Sequence, residues 1–156
     1  MPRVPTLNTG DCLFAAFAIS ITGRRMPFDA QMRAATTLRR AVGARMRTRA
    51  FWRGVPRSAL LEAPDVARLR ALQVPSATLD MALTYPAAGS RAAYIDIMER
   101  HGVWGGFLEL RALAEMYNVR IRIVPLLGPE YTAAGHMHHR VVRLFLHANH
   151  YEGIVT

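Results

Sequence analysis

The 156-residue sequence predicts an α+β fold, in which a helical N-terminal part packs on a small, mainly antiparallel β-sheet. Apolar residues recur at helical spacing through most of the chain, and this period gives way to strand-like alternation from Val119 onward. Because 51% of the residues are hydrophobic, the chain has enough apolar side chains for a sizeable core. We therefore expect a single domain over residues 1–156.

Helices are predicted first along the chain. Residues 11–22 place their apolar side chains on one face, and Gly23 ends the segment. Asp29 is positioned to cap a second helix that reaches about Arg49 and carries arginines on its outer face. A break is expected over residues 51–56. Helical spacing then recurs over residues 57–72, 90–101 and 107–117.

Strands are predicted in the last third of the chain. Residues 119–124 alternate apolar and charged side chains, which is typical of a half-exposed strand. Residues 126–139 contain proline, glycine and histidine and are expected to form a loop. Two further strands, over residues 141–147 and 150–155, flank a predicted turn at Ala148 and Asn149.

The net charge is +9, and all 20 basic residues are arginine. Three explanations stay open: a GC-rich coding sequence, phosphate binding through guanidinium groups, and avoidance of lysine, the residue to which ubiquitin is attached. Arginine clusters at residues 39–40 and 45–49 keep an RNA-binding module as an alternative function. Few aromatic side chains accompany these clusters, since only Phe51 and Trp52 are close by in sequence.

The single cysteine excludes an internal disulfide, so the fold does not depend on oxidation. The N-terminus lacks the apolar region of a signal peptide, and no apolar stretch is long enough to span a membrane. These observations predict a cytoplasmic protein. His136, His138 and His139 offer too few ligands on one flexible loop for a metal site, and no cofactor is expected.

Cys12 is the candidate nucleophile. It follows a Gly10-Asp11 turn and lies at the predicted first turn of a helix, where the helix dipole favours a thiolate. A cysteine nucleophile also needs an imidazole base and a group that orients this base. His150 begins the last predicted strand, and Glu152 lies two residues later on the same side.

Several short motifs occur along the chain in a fixed order. They are Gly10-Asp11-Cys12-Leu13-Phe14, Val103-Trp104-Gly105-Gly106, Glu109-Leu110, Ala112-Leu113-Ala114, the strand over residues 119–124, and His150-Tyr151-Glu152. In this order they resemble the ovarian-tumour (OTU) domain cysteine proteases, deubiquitinases of papain-like fold whose viral members often act on ubiquitin-like modifiers. The resemblance covers about residues 7–155, although residues 24–88 match only as helical segments. The compact, arginine-rich chain suggests a viral or bacterial effector that acts in a host cell.

The resemblance implies a role for each motif. Cys12 would attack the carbonyl that follows the terminal glycine of ubiquitin, and His150 would act as base and then as acid. Glu152 occupies the position where the family usually has Asp or Asn to orient the histidine, and Asn149 is an alternative neighbour. The implied partners are conjugates of ubiquitin or ubiquitin-like proteins. A protease that processes a polyprotein is an alternative with the same residues.

The resemblance also implies an oxyanion hole and a substrate groove. The backbone N–H groups of Gly10, Asp11 and Cys12 would form the hole, and Thr9 stands where the family usually has an aspartate that shapes this loop. The groove for the narrow ubiquitin tail would be lined by Trp104, Gly105, Gly106 and Tyr151. Packing roles are the alternative for these groove residues: Trp104 in the core, the glycines at a helix start and Tyr151 on the sheet.

Overall fold

A computed structural model describes residues 2–55, 91–148 and 150–156. The helix predicted over residues 57–72 and the alternative orienting residue Asn149 lie outside the described residues. The expected α+β class is confirmed, because helices pack against a mixed β-sheet.

Helices in the described residues are α1 (Cys12–Thr22), α2 (Phe28–Met46), α3 (Arg91–Met98) and α4 (Phe107–Tyr117). Helix α1 is the central element, since every residue from Cys12 to Ile19 is buried. It ends at Gly23, which adopts a left-handed φ of 68° and donates its N–H to the Ile19 carbonyl. This is a common glycine stop for a helix.

Helix α2 departs in two places from the sequence prediction. It begins at Phe28 after Pro27, so Asp29 lies in its first turn and forms an exposed ion pair with Arg33 instead of capping the helix. The break expected after α2 contains a short 3-10 helix, Ala50–Trp52, whose aromatic side chains are buried in the core.

The five-stranded sheet in the described residues has the order β1-β5-β4-β2-β3. Its strands are β1 (Arg3–Val4), β2 (Val119–Pro125), β3 (Tyr131–Ala134), β4 (Arg140–His147) and β5 (His150–Ile154). The pairs β1–β5, β2–β3 and β4–β5 are antiparallel, whereas β2 and β4 run parallel. The mainly antiparallel prediction is confirmed, with one parallel pair that it did not include.

The parallel pair arises because β3 forms within the residues expected to be only a loop. Strand β3 turns back along one edge of β2, and the chain then returns as β4 on the other edge in the direction of β2. Strand β1, also not predicted, has only two residues and adds to the free edge of β5.

Helix α1 lies against β4 and β5. The contact with β5 is close at Gly153, where an added Cβ would lie 2.4 Å from the Ile19 side chain. This packing brings the N-terminal end of α1 to the start of β5. No helix in the described part of the chain is long and apolar enough to cross a membrane.

Candidate active site

Cys12 is the first residue of α1, and its side chain is fully buried. The backbone N–H of Tyr151 donates to the Cys12 sulfur, with 3.5 Å between nitrogen and Sγ. The structure thus brings Cys12 next to the strand start that carries His150, although the two segments are far apart in sequence.

Burial raises the pKa of the Cys12 thiol to about 11. Backbone N–H groups of Tyr151 and Leu13 lower it, but the effect of desolvation is larger, and the nearby Asp11 carboxylate raises the pKa further. The helix start therefore favours the thiolate as expected, but the net pKa of the thiol is raised. The helix end stabilises an anion as expected, but the loss of water costs more.

His150 is half-buried at the start of β5. Burial lowers the pKa of its imidazole, the Glu152 charge raises it, and His147 lowers it. Within the described part of the chain, no hydrogen bond joins the Glu152 carboxylate to the His150 ring. The ring contacts Thr6 instead, with 3.2 Å between His150 Nε2 and Thr6 Oγ1.

Thr6 is a further residue of the candidate site, and the sequence did not predict it. It lies just after β1, it is buried, and its hydroxyl also donates to the Tyr151 carbonyl. No local sequence signal marks this residue, because its two partners lie at the other end of the chain. Thr6 meets His150 and Tyr151 because β1 pairs with β5.

The loop before Cys12 uses two of its expected oxyanion donors internally. The Cys12 N–H donates to the Thr9 carbonyl over 3.2 Å, and the Asp11 N–H donates to Thr9 Oγ1 over 3.3 Å. Thr9 thus organises this loop with a hydroxyl and a carbonyl in place of the aspartate that the family pattern has. The free protein holds both N–H groups in a turn.

The Asp11 carboxylate is fully buried and is contacted by donors from two other segments, helix α2 and residues 101–102. Arg39 of α2 donates to Oδ1 through Nε at 3.1 Å and Nη2 at 2.8 Å, and the Gly102 N–H donates to the same oxygen at 3.2 Å. His101 Nδ1 lies 3.0 Å from Oδ2.

Arg39 connects the loop before Cys12 to the loop after α3. Its guanidinium also donates to the carbonyls of Met98 at 2.8 Å and Val103 at 2.7 Å, and to Gly10 at 3.3 Å. Only 3% of Arg39 is exposed, so its expected place on an outer arginine face is wrong. Burial lowers the pKa of Arg39, and the Asp11 charge counteracts this shift.

The two loops are in direct backbone contact at Gly10. An added Cβ at this residue would lie 1.9 Å from the Gly102 carbonyl oxygen. No side chain larger than that of glycine therefore fits at Gly10. The hydrogen bonds of Arg39 to both loops stabilise their contact.

The Trp104-Gly105-Gly106 segment packs on the same end of α1. An added Cβ at Gly105 would lie 2.5 Å from the Leu13 side chain. Trp104 and Tyr151 are both half-buried. Trp104 Nε1 is buried without a hydrogen-bond partner among the residues that the structure describes.

Glu109 fixes the start of α4 directly after this segment. Its Oε1 accepts the Gly106 N–H at 2.7 Å, and its Oε2 accepts the Tyr94 hydroxyl at 2.6 Å. Burial raises the pKa of Glu109 to about 7, while the Gly106 N–H and the Arg39 charge lower it.

The arginine cluster of α2 is largely engaged with acidic partners. Arg45 lies 2.9 Å from Glu115, and Arg47 bridges Asp96 at 2.8 Å and Glu99 at 3.1 Å. These pairs leave less free positive charge for nucleic acid than the sequence suggested.

A cysteine at a helix start, beside a strand that begins with a histidine, is an arrangement typical of thiol hydrolases. A sequence profile described as OTU-like cysteine protease matches residues 8–149. The chain belongs to this family of cysteine proteases.

Solved structures share this fold at low sequence identity. An OTU deubiquitinase from Wolbachia pipientis wMel bound to ubiquitin has a TM-score of 0.53 and 19% identity, over 97% of this chain and 93% of that chain. The OTU protease domain of Taggert virus has a TM-score of 0.57 and 12% identity, over 97% of this chain and 77% of that chain. An ovarian-tumour domain in complex with ubiquitin has a TM-score of 0.56 and 16% identity, over 97% of this chain and 67% of that chain. No curated protein matches the sequence.

Proposed function

We propose that this chain is a deubiquitinase, which hydrolyses the peptide or isopeptide bond after the C-terminal glycine of ubiquitin or a ubiquitin-like modifier. One observation carries the proposal: the Cys12 sulfur accepts the N–H of Tyr151, the residue next to His150. Membership of the cysteine protease family supports it, and so does the likeness in fold to two domains solved with ubiquitin.

Acylation begins when the His150 imidazole takes the proton of the Cys12 thiol. The sulfur then attacks the glycine carbonyl, and a C–S bond forms as the carbonyl π electrons move to the oxygen. When the C–N bond breaks, the leaving amine takes its proton from the His150 imidazolium. The products of this step are a free lysine side chain or N-terminus and a thioester on Cys12.

Deacylation uses the same residues in the opposite order. A water molecule gives a proton to the His150 imidazole and attacks the thioester carbonyl. The C–S bond breaks, the sulfur leaves and is reprotonated by the imidazolium, and the ubiquitin carboxylate departs. The Glu152 charge, which favours the protonated imidazole, supports the intermediate stage of both half-reactions.

The oxyanion of both tetrahedral intermediates needs donors from the loop of residues 9–12. The N–H groups of Cys12 and Asp11 become available when the Thr9 carbonyl and hydroxyl turn away from them. Each donor contributes about 3 kcal/mol to stabilising the transition state. Thr9 therefore rearranges when the substrate binds in the proposed mechanism.

The substrate tail would lie between Trp104-Gly105-Gly106 and Tyr151. Gly106 leaves room for another backbone to approach closely, which suits the narrow glycine-glycine end of ubiquitin, whereas the missing side chain of Gly105 makes room for Leu13. Tyr151 would line this groove from β5, where its own N–H contacts the Cys12 sulfur.

Hydrolysis of ubiquitin carrying a fluorogenic amide at its C-terminus tests the proposal. The wild-type chain is expected to release the fluorophore, and Cys12→Ala and His150→Ala should each lose at least about 10³-fold of this activity. The matched substrate control is the same amide on a short peptide with the ubiquitin C-terminal residues, which lacks the folded surface. An inactive wild type in reducing buffer would contradict the proposal.

A further inference from the structure

We infer that Thr6 is a positioning residue that holds neutral His150 as the tautomer with its proton on Nε2, so that Nδ1 is the basic nitrogen. The orienting contact then comes from a hydroxyl next to β1, not from the carboxylate two residues after the histidine. The tautomer assignment follows from the hydrogen bonds alone, and its catalytic consequence rests on the proposed function.

The single hydrogen of the Thr6 hydroxyl decides which nitrogen of His150 is protonated. A hydroxyl has one hydrogen to donate, and a carbonyl oxygen only accepts. Because Thr6 Oγ1 donates to the Tyr151 carbonyl, its hydrogen is used there. Toward His150 Nε2, 3.2 Å away, the hydroxyl oxygen is left as an acceptor. Nε2 must therefore carry the ring proton.

The other ring nitrogen, Nδ1, is left without a proton. A neutral imidazole has one N–H, so a proton on Nε2 leaves a lone pair on Nδ1. In the described part of the chain, His150 Nδ1 is buried and has no hydrogen-bond partner. An unpaired buried acceptor is unusual in a folded protein, and it suits a base that waits for a proton. In the proposed function this proton comes from the Cys12 thiol, whose sulfur accepts the N–H of Tyr151, the residue after His150.

The contact between Thr6 and His150 persists through the proposed reaction. When His150 takes a proton on Nδ1, both ring nitrogens become donors. The Thr6 oxygen still accepts from Nε2, so the ring has no reason to turn when it changes charge. A hydroxyl whose hydrogen is fixed elsewhere serves both protonation states equally.

Thr6 is itself held from two sides. The register that pairs Val4 with Gly153 continues to place Thr6 opposite Tyr151. On the other side, the buried Gln31 of α2 donates to the Pro5 carbonyl at 2.9 Å and accepts the Leu7 N–H at 3.1 Å. The residues before and after Thr6 are therefore both fixed to the same amide.

The charged and titratable groups near the ring act through their charge and not through a hydrogen bond to it. Glu152 favours the imidazolium, His147 opposes it, and the Cys12 thiol is the proton donor of the proposed reaction. Loss of the Glu152 charge would change how readily His150 is protonated. Loss of the Thr6 hydroxyl would change which nitrogen holds the proton.

The experiment is ¹⁵N NMR of the histidine rings in the full chain, at a pH of about 8, where imidazole is neutral. The six histidines are labelled, and the His150 signals are assigned by their loss in His150→Gln. We expect wild-type and Thr6→Ser proteins to have a protonated Nε2 and an unprotonated Nδ1. We expect Thr6→Val, which keeps the shape but lacks the hydroxyl, to have a mixture of tautomers.

A wild-type spectrum with the proton on Nδ1 would overturn the inference, as would an unchanged tautomer in a folded Thr6→Val. If Thr6→Val does not fold, the wild-type and Thr6→Ser spectra still show which ring nitrogen of His150 carries the proton. These spectra need no substrate, so an absence of ubiquitin hydrolysis would overturn the proposed function and leave the tautomer assignment standing.

Kinetics then test the catalytic consequence. Thr6→Val should lower kcat by about 10- to 100-fold with little change in KM, as expected for a group that orients a catalytic side chain. Thr6→Ser should restore most of kcat. An equal loss in both variants at unchanged thermal stability would contradict the positioning role.

Discussion

The carboxylate of Asp11, the residue before Cys12, forms a buried ion pair with the Arg39 guanidinium, with 2.8 Å between Oδ1 and Nη2. Both side chains are almost completely buried. Arg39 also binds the carbonyls of Gly10 and Val103, so one side chain ties the loop before the cysteine to the loop that leads to Trp104. The geometry of the site thus depends on a residue of α2 that lies outside the recognised motifs.

Replacing Arg39 should therefore damage both stability and activity. Arg39→Met leaves the Asp11 carboxylate buried without its counter-charge, and we expect a loss of about 3–5 kcal/mol in the free energy of unfolding. Arg39→Lys keeps the charge but not the several planar donors, so we expect a smaller loss of stability and a clear loss of activity. Urea denaturation and ubiquitin hydrolysis measure the two effects.

The neighbouring Arg40 provides the matched control, because it is exposed on the same helix. Arg40→Met should change the unfolding free energy by no more than about 0.5 kcal/mol. Equal effects of the two substitutions would show that the Asp11–Arg39 pair has no special role.

Gly10→Ala should disrupt the contact between the two loops. The new Cβ would lie 1.9 Å from the Gly102 carbonyl oxygen, so the backbone must move at the residue that precedes Asp11. We expect loss of most ubiquitin hydrolysis. Gly23→Ala is the control: Gly23 has a positive φ of 68° but open space around it, so this variant should lose about 1 kcal/mol of stability and keep its activity.

The pH dependence of Cys12 alkylation should show a thiol that is protonated at neutral pH. Because burial raises the pKa of Cys12 to about 11, the rate with iodoacetamide should still increase above pH 9. The same shift makes folding less favourable as pH rises from 9.0 toward 11, because the unfolded chain loses this proton first. A rate that levels off below pH 8 would indicate a preformed thiolate and contradict this account. Cys12→Ala contains no thiol and therefore measures the background rate of alkylation.

The acid limb of the pH–rate profile should respond to Glu152. Burial lowers the pKa of His150, and the Glu152 charge partly counteracts this effect. Glu152→Gln removes the opposing charge, so the pKa should fall further and the acid limb of kcat/KM should move to lower pH. Glu115→Gln, which removes a carboxylate paired with Arg45, is the control. An acid limb that stays in place would mean that Glu152 does not act on His150.

Glu109 should make stability depend on pH near neutrality. Its pKa is raised by burial from 4.5 to about 7, so the folded state holds this proton more tightly. Protonation of Glu109 thus adds about 3 kcal/mol to the free energy of unfolding. This contribution is fully present below pH 4.5 and is lost as the pH rises through about 7. Glu109→Gln keeps the shape and does not titrate. The difference between the two unfolding free energies, measured from pH 4.5 to 8, should follow this curve, and a constant difference would refute it.

The sequence predicted those parts of the fold that local patterns encode. Helix α4 has the predicted bounds, because a glycine pair precedes it and apolar spacing continues to its last residue. Helix α1 begins one residue later than predicted and ends at the predicted glycine. Strands β3 and β1 were not predicted, since each is short and exists through pairing with a distant neighbour.

The site was predictable only where a residue carries its own local signal. Cys12 and His150 stand out by residue type and position, whereas Thr6 and Arg39 act through partners distant in sequence. Thr6 depends on the β1–β5 pairing, and Arg39 points inward from a helix face that otherwise looks solvent-exposed. The high pKa of the Cys12 thiol was missed because burial depends on the tertiary fold.

The most direct test is the intact mass of the protein after reaction with ubiquitin that carries an electrophile in place of its C-terminal carboxylate. We predict that the wild-type chain gains the mass of one ubiquitin, that His150→Ala gains it far more slowly, and that Cys12→Ala does not gain it. An unmodified wild type, or an adduct that persists in Cys12→Ala, would contradict the claim that Cys12 and His150 form a ubiquitin-cleaving site.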